Sequence, residues 1–242
     1  MATAHNNPID QQDVRDDPNA PARRDDHQGE GATRGTDRME AFADGVFAIA
    51  FTLPVLEIVL PEPGETGARL GVELFHLWPS YAGYLLASAI IGLYWVHHHF
   101  SGAIYRTTGH WFLIATVIFL GAIGFIAFPS RVVAEHFTDL AARPSAVQYF
   151  VVSMTVLAWT WLLKWTVGWK RDQVDSRLEM NYVIHLNRRY WLFALLNTAA
   201  AVAVFFSWQL GLVLCAILTS SLLIPPRTPR YHTEAPIVEG ES

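Results

Sequence analysis

Residues 38–60 read RMEAFADGVFAIAFTLPVLEIVL, and this stretch decides the fold. Its length suits a membrane-spanning helix, because about 20 residues cross a hydrocarbon core of about 30 Å. Two carboxylates, Asp44 and Glu57, lie within it, together with Pro54. Carboxylates at membrane depth are costly and usually face a bundle interior or a water-filled path. We therefore predict that this helix is the working part of a membrane protein.

The composition is typical of polytopic membrane proteins. Of 242 residues, 52% are hydrophobic and only 16% are charged, and the apolar residues are collected into six blocks. We predict an all-α fold with six transmembrane helices. The predicted spans are about residues 39–60, 80–98, 111–128, 147–167, 190–206 and 208–224. The last two spans are short and are predicted to form a hairpin.

Polar segments flank the predicted spans. Residues 1–36 are poor in aromatic and β-branched residues and are predicted to form a disordered tail. Residues 37–225 are predicted to form the six-helix transmembrane domain, and residues 226–242 a second tail in the cytoplasm. Basic residues are concentrated on the side of the termini, which predicts a multi-pass plasma-membrane protein with both termini in the cytoplasm. Lys164, near the inner end of the fourth span, is predicted to extend to the inner interface.

A helical wheel separates the residues of the first span into faces. At about 100° per residue, one line collects mostly apolar residues: Gly45, Ile49, Leu53, Leu56 and Leu60, flanked by Thr52. Asp44 points roughly the other way. If the apolar line faced a shared axis, Asp44 would face neighbouring helices of its own subunit. We expect an Arg, Trp or His partner there, with Arg38 and the run of His97, His98 and His99 as candidates, because an unpaired carboxylate would cost several kcal/mol.

The first span also carries a long and specific motif. It consists of Arg38, Phe42, Ala43 and Asp44, followed by GVFAIAFTLPVLE at residues 45–57, while residues 94–100 read YWVHHHF. These stretches resemble the R-x-x-x-F-S-D first-helix signature and the second-helix ending of the bacterial branch of the transmembrane protein 175 family of potassium channels. Beyond the second helix the resemblance is mainly one of organisation.

The resemblance implies a homotetramer in the lipid bilayer, with six transmembrane helices per subunit and a central pore lined by the first helix of each subunit. It places a hydrophobic filter at Ile49, Leu53 and Leu56 and a hydroxyl ring at Thr52, positions that the wheel had grouped independently. The implied function is passive, modestly selective conduction of potassium ions, with caesium and rubidium also permeant. No T-V-G-Y-G filter occurs in the sequence. We expect no enzymatic activity, cofactor, resident metal or nucleic-acid partner.

Three positions qualify this interpretation. Ala43 stands where the family signature has serine, which removes one hydroxyl from the motif. Pro54 deletes a backbone hydrogen bond to residue 50 and predicts a kink between two proposed rings. Glu57 is predicted to attract cations at the outer mouth or, equally, to be a hydrogen-bonded carboxylate at an interface.

Other classes of protein remain open from the residues alone. An apolar line on a helix is more often a packing seam than a pore. His97, His98 and His99 could suggest a membrane metalloenzyme, but adjacent histidines point around a helix rather than to one side. An ion-coupled secondary transporter is a further alternative, although we find no repeat relating the halves. A proton channel is another, since His and Asp groups lie near the predicted inner mouth.

Overall fold

The computed structural model describes residues 35–62, 69–171 and 173–231, and helices dominate this part of the chain. The α-helices there are α1 Asp37–Thr52, α2 Leu70–His76, α3 Trp78–Gly102, α4 His110–Phe125, α5 Ala127–His136, α6 Arg143–Lys170, α7 Met180–Phe206 and α8 Trp208–Ser220. Short 3₁₀ helices follow α1 at Leu53–Glu57 and α8 at Ser221–Leu223. Most of the two tails predicted from the sequence lies outside the described residues.

Helix length and apolar content confirm an all-α polytopic membrane protein. Within the described ranges four segments qualify as membrane spans: Asp37–Glu57, His110–His136, Arg143–Lys170 and Met180–Phe206. A fifth results if α2 and α3, which are bent by 46° at their junction, count as one span. The sixth predicted span corresponds to Trp208–Leu223, which is apolar but shorter than the others.

Two helices extend beyond the predicted apolar blocks. The third span was predicted to end at residue 128, because a proline follows. Pro129 instead lies in the first turn of α5, where a missing backbone N–H costs little. The span therefore continues to His136. Helix α7 begins at Met180, ten residues before the predicted span 190–206, and its first turns mix polar residues with buried apolar ones such as Val183 and Leu186.

The core lies where α1 packs against α3 and α4. Ala43 and Phe47 of α1 are almost completely buried there. The Phe47 ring lies 6.0 Å from that of Phe119 on α4, which in turn lies 5.1 Å from that of Trp161 on α6. Such tilted and edge-on aromatic pairs stabilise the fold beyond the contribution of the apolar area that they bury. These contacts fix the side of α1 that faces its own subunit.

Helices α7 and α8 form the predicted hairpin. Ser207 separates them, and its hydroxyl oxygen accepts a hydrogen bond from the Leu210 backbone N–H at 3.3 Å, which caps α8. Gly211 lies so close to α7 that an added Cβ atom would be 2.4 Å from the Val204 Cβ atom. The absence of a side chain at this position therefore allows the two helices to approach each other.

We expect Gly211→Ala to destabilise the protein by about 1 to 3 kcal/mol, because the new methyl group overlaps the Val204 side chain. Gly124→Ala is the matched control, since nothing lies within 4 Å of a Cβ atom there. Replacing a helical glycine without a clash should be neutral or stabilise by about 0.5 to 1 kcal/mol. Thermal unfolding in detergent measures both variants. Equal melting temperatures would contradict the assignment of Gly211 to a close helix contact.

The chain after α8 packs against loops at the end of the bundle where α3 ends and α7 begins. The Tyr182 hydroxyl donates to the Arg227 carbonyl oxygen at 3.1 Å, and the Tyr231 hydroxyl donates to the Ala103 carbonyl oxygen at 2.7 Å. The first residues of the predicted C-terminal tail are thus held against the bundle. Beside them Asp175 accepts two hydrogen bonds from the Arg177 guanidinium, at 2.8 Å to one oxygen and 3.1 Å to the other.

The Asp175 carboxylate makes the stability of this loop depend on pH. Hydrogen bonds from the Arg177 side chain hold the pKa of Asp175 below its ordinary value of 3.8. A lowered pKa means that the stabilisation is present at neutral pH and is lost as the pH falls through the folded-state value. We expect Asp175→Asn to melt earlier than the wild type at pH 7, and the two melting temperatures to converge on acidification below about pH 4. A gap that stays constant with pH would contradict this account.

Candidate functional site

The two faces of α1 have opposite surroundings. Ile49, Leu53 and Leu56, the last two in the 3₁₀ helix after it, are 57%, 52% and 76% exposed, whereas Phe47 and Ala50 are buried against the rest of the subunit. Large apolar side chains that remain uncovered in a single chain usually face lipid or another protein. The structure therefore leaves the three predicted filter residues uncovered by their own subunit.

Pro54 changes the helix type within this line rather than simply bending it. It lies in the first turn of the 3₁₀ helix Leu53–Glu57, so the α-helix ends at Thr52 instead of continuing to residue 60. In a 3₁₀ helix, side chains three residues apart are eclipsed, and the rise is about 2.0 Å per residue. Leu53 and Leu56 consequently share one line and are separated by about 6 Å along the axis. Ile49 precedes Leu53 by a similar distance, about 6 Å, in α-helical geometry.

Thr52 contributes a hydroxyl group at the end of α1. Its Oγ1 donates to the Ala48 carbonyl oxygen at 2.8 Å and lies 3.3 Å from the Ile49 carbonyl oxygen, and the side chain is exposed. Because its proton is used within the helix, the oxygen is left as an acceptor on the uncovered side. An acceptor oxygen at this position is suited to a cation rather than an anion.

Asp44 bonds to the neighbouring helix α3. Its Oδ1 accepts a hydrogen bond from the Trp95 indole Nε1 at 3.0 Å, and the Trp95 ring is stacked with that of His99 at 5.8 Å. The partner is thus a tryptophan, one of the three predicted residue types. The named candidates, Arg38 and the three histidines, were wrong. His99 supports the pair indirectly, by its contact with the indole ring.

His97 and His98 have different partners within the subunit. His97 Nε2 donates to the Leu222 carbonyl oxygen at 2.8 Å, and His98 Nδ1 accepts from Lys164 Nζ at 2.9 Å. Lys164 is only 2% exposed, so the prediction that it extends to the interface was wrong. Its ammonium lies 5.4 to 5.8 Å from the ring centroids of three aromatic residues, Tyr105, Phe119 and Trp161. Cation–π attraction compensates part of the cost of its burial.

The remaining motif residues occupy both faces of the first span. Phe42 is 57% exposed, whereas Ala43 is fully buried, so the position that departs from the family signature is a packing position in this chain. Glu57 forms an ion pair with Arg131 on α5 at 3.1 Å, and Arg131 also contacts Glu135 at 2.7 Å. Of the two interpretations of Glu57, these contacts favour the hydrogen-bonded carboxylate.

This geometry coincides with a match to a known family. Residues 38–129, which include α1, α3 and α4, match the sequence profile described as "Endosomal/lysosomal potassium channel TMEM175". This segment belongs to the TMEM175 family. The matched region contains every residue predicted for the pore and for the motif.

Two bacterial relatives extend the comparison. A potassium channel of Chamaesiphon minutus is 39% identical over 123 residues, which cover 50% of this chain and 60% of the relative. A potassium channel of Streptomyces collinus is 31% identical over 131 residues, which cover 53% of this chain and 62% of the relative. The matches thus span less than two thirds of these curated relatives.

A solved TMEM175 structure covers more of the chain. The crystal structure of a lysosomal potassium-selective channel TMEM175 homolog from Chamaesiphon minutus aligns with a TM-score of 0.66 and 28% identity, over 80% of this chain and 98% of the solved chain. The chain therefore has the fold of a TMEM175 channel. The family that residues 38–129 match is one of ion channels, which agrees with the prediction that the chain is not an enzyme.

Proposed function

We propose that this chain forms a passive, modestly selective potassium channel with a hydrophobic side-chain filter. Ile49, Leu53 and Leu56 from several copies form the constriction, and Thr52 adds a ring of hydroxyl oxygens. The observation that carries the proposal is the uncovered apolar line on α1 within a TMEM175 fold. Two bacterial relatives that match about half of this chain are named as potassium channels.

Such a pore controls ions by dewetting. A ring of leucine or isoleucine side chains that excludes water blocks a hydrated ion, and a small widening restores the path. Thr52 supplies the only hydroxyl on the proposed line within the described residues, so little replaces the hydration shell of the ion. Discrimination between potassium and sodium is therefore modest, and caesium and rubidium also permeate.

The proposed pore requires several copies of the chain. A single subunit leaves the filter line and Phe42 uncovered, and a pore lined by these residues needs several copies around a shared axis. We propose a homotetramer with six helices per subunit, in which the shorter Trp208–Leu223 segment completes the set. Native mass spectrometry of the purified protein should give four chains per particle, and a stable monomer or dimer would contradict this assembly.

Basic residues support an orientation with both termini in the cytoplasm of a plasma-membrane protein. Arg106, Arg171 and Arg177 lie in loops at the end of the bundle where α1 begins, while Arg131 and Arg143 lie towards the opposite end. Positively charged loops favour the cytoplasmic side. Protease digestion of tagged termini in sealed vesicles tests this orientation, because only cytoplasmic tags of inside-out vesicles should be cleaved.

Flux into liposomes discriminates the channel from its alternatives. The purified protein is reconstituted with a potassium gradient and a pH-sensitive dye inside the vesicles. A potassium channel dissipates the potassium gradient without a proton gradient. A proton channel collapses an imposed pH gradient without potassium, and an ion-coupled transporter needs both ions together. Either of the last two results would overturn the proposal.

A further inference from the structure

An apolar cavity of about 450 Å³ lies between α3, α5, α6 and α8, on a different side of the subunit from the proposed filter. Its lining includes Trp78, Leu86, Ile90, Phe137, Leu212 and Cys215, and no residue of α1. The proposed potassium path does not use this space. A cavity of this size and apolar character is typical of a ligand site.

The exposed fractions of the lining residues show which part of the cavity is its mouth and which part is its buried floor. Trp78 and Phe137 are 43% and 39% exposed, whereas Ile90 and Cys215 are 1% exposed. Trp78 and Ile90 are separated by twelve residues of α3, which corresponds to about 18 Å along the helix. One leaflet of the hydrocarbon core is about 15 Å thick. The cavity therefore has about the depth of one leaflet, and because Ala216 and Ser220 of its lining are also exposed, it is open along α8 as well as at the mouth.

The mouth lies at the level of lipid headgroups and carries a positive charge. Trp78, Phe137, Arg143 and Trp208 all lie at helix ends on the same side of the bundle, and aromatic residues mark this level in membrane proteins. The Arg143 guanidinium lies 5.2 Å from the Phe137 ring centroid and 5.5 Å from the Trp208 ring centroid. Among the described residues no carboxylate lies within 4.0 Å of it.

We propose that this cavity binds one acyl chain of a membrane phospholipid, with the lipid phosphate on Arg143. A guanidinium matches the geometry of a phosphate, and the two aromatic rings hold it in place at the rim. The elongated shape and the apolar lining of the cavity suit a hydrocarbon chain, and the rim charge matches a lipid phosphate.

Native mass spectrometry with added phosphatidylglycerol tests the site, and it does so without any measurement of conductance. We expect one tightly retained lipid per chain in the wild type. Arg143→Gln should weaken retention about tenfold, because it removes a charge-assisted contact. Arg171→Gln, at the opposite end of the bundle, is the matched control and should leave retention unchanged. Diacylglycerol, which lacks the phosphate, should bind with no dependence on Arg143.

A second pair of variants tests the cavity itself. Ala82→Phe fills the cavity and should abolish retention, while Ala89→Phe places the same side chain outside the lining of α3 and should not. Leu86→Trp replaces Ala82→Phe if thermal unfolding shows that the latter does not fold. Equal retention in filled and control variants would overturn the proposal. Cross-links between two copies through Trp78 and Phe137 would also overturn it, because they would show that protein covers the mouth.

Discussion

We expect Ile49→Asn to raise potassium conductance in planar bilayers on the order of tenfold and to bring the permeabilities of potassium and sodium closer together. The amide wets the proposed constriction, so less free energy is needed to place a hydrated ion there. Transferring one isoleucine side chain from water is worth about 1.5 to 3 kcal/mol. Lowering a barrier by about 1.4 kcal/mol raises a rate tenfold. The same substitution at Leu53 should act in the same direction.

Val117→Asn is the matched control for Ile49→Asn. Val117 lies on α4 and is 56% exposed, against 57% for Ile49, so both substitutions place an amide on an equally uncovered position. The control should leave conductance and permeability ratios unchanged, because Val117 lies outside the proposed pore. Unchanged permeability ratios in Ile49→Asn, with wild-type folding, would show that Ile49 does not belong to the filter.

The second large effect is expected at the buried pair of His98 and Lys164. His98→Leu removes the atom that accepts from Lys164 Nζ and leaves a buried ammonium with aromatic ring faces as its main partners. An unsatisfied buried charged group costs about 3 kcal/mol or more. For a chain of this size we expect the melting temperature in detergent to fall by roughly 6 to 12 °C.

A double variant distinguishes this mechanism from a general loss of packing. Lys164→Met combined with His98→Leu replaces both partners by apolar groups of similar size, which is often nearly neutral. We therefore expect the double variant to recover most of the lost stability. His110→Leu, at an exposed position, controls for the loss of a histidine. If the two substitutions were additive, the pair would not be coupled.

Features that depend on local sequence could be predicted. The positions of the apolar blocks followed from length and hydropathy, and the 3.6-residue period placed Ile49 away from the core residue Phe47 without a template. The position at which Pro54 disturbs the helix was also predicted, because proline cannot donate a backbone hydrogen bond. Its outcome, a 3₁₀ helix at Leu53–Glu57, depends on how the following turn packs, which the pattern does not specify.

Features that depend on contacts between residues far apart in the sequence could not be predicted from the sequence. Asp44 and Trp95 are 51 residues apart, and His98 and Lys164 are 66 apart, so no spacing rule relates them. Lys164 near a span end looked like a side chain that reaches the interface, but the surrounding aromatic rings are visible only in three dimensions. Helix α7 was predicted too short because Asn, His and Arg residues interrupt the apolar pattern of its first ten residues.

The ion pair between Glu57 and Arg131 makes the ionic strength of the bathing solution a variable for the proposed pore. Glu57 directly follows Leu56, and Arg131 belongs to α5, so this pair joins the filter segment to another helix. Both side chains are more than one third exposed, and such pairs contribute at most about 1 kcal/mol and are screened by salt. Salt on that face of the membrane would therefore loosen this connection without touching the apolar residues themselves.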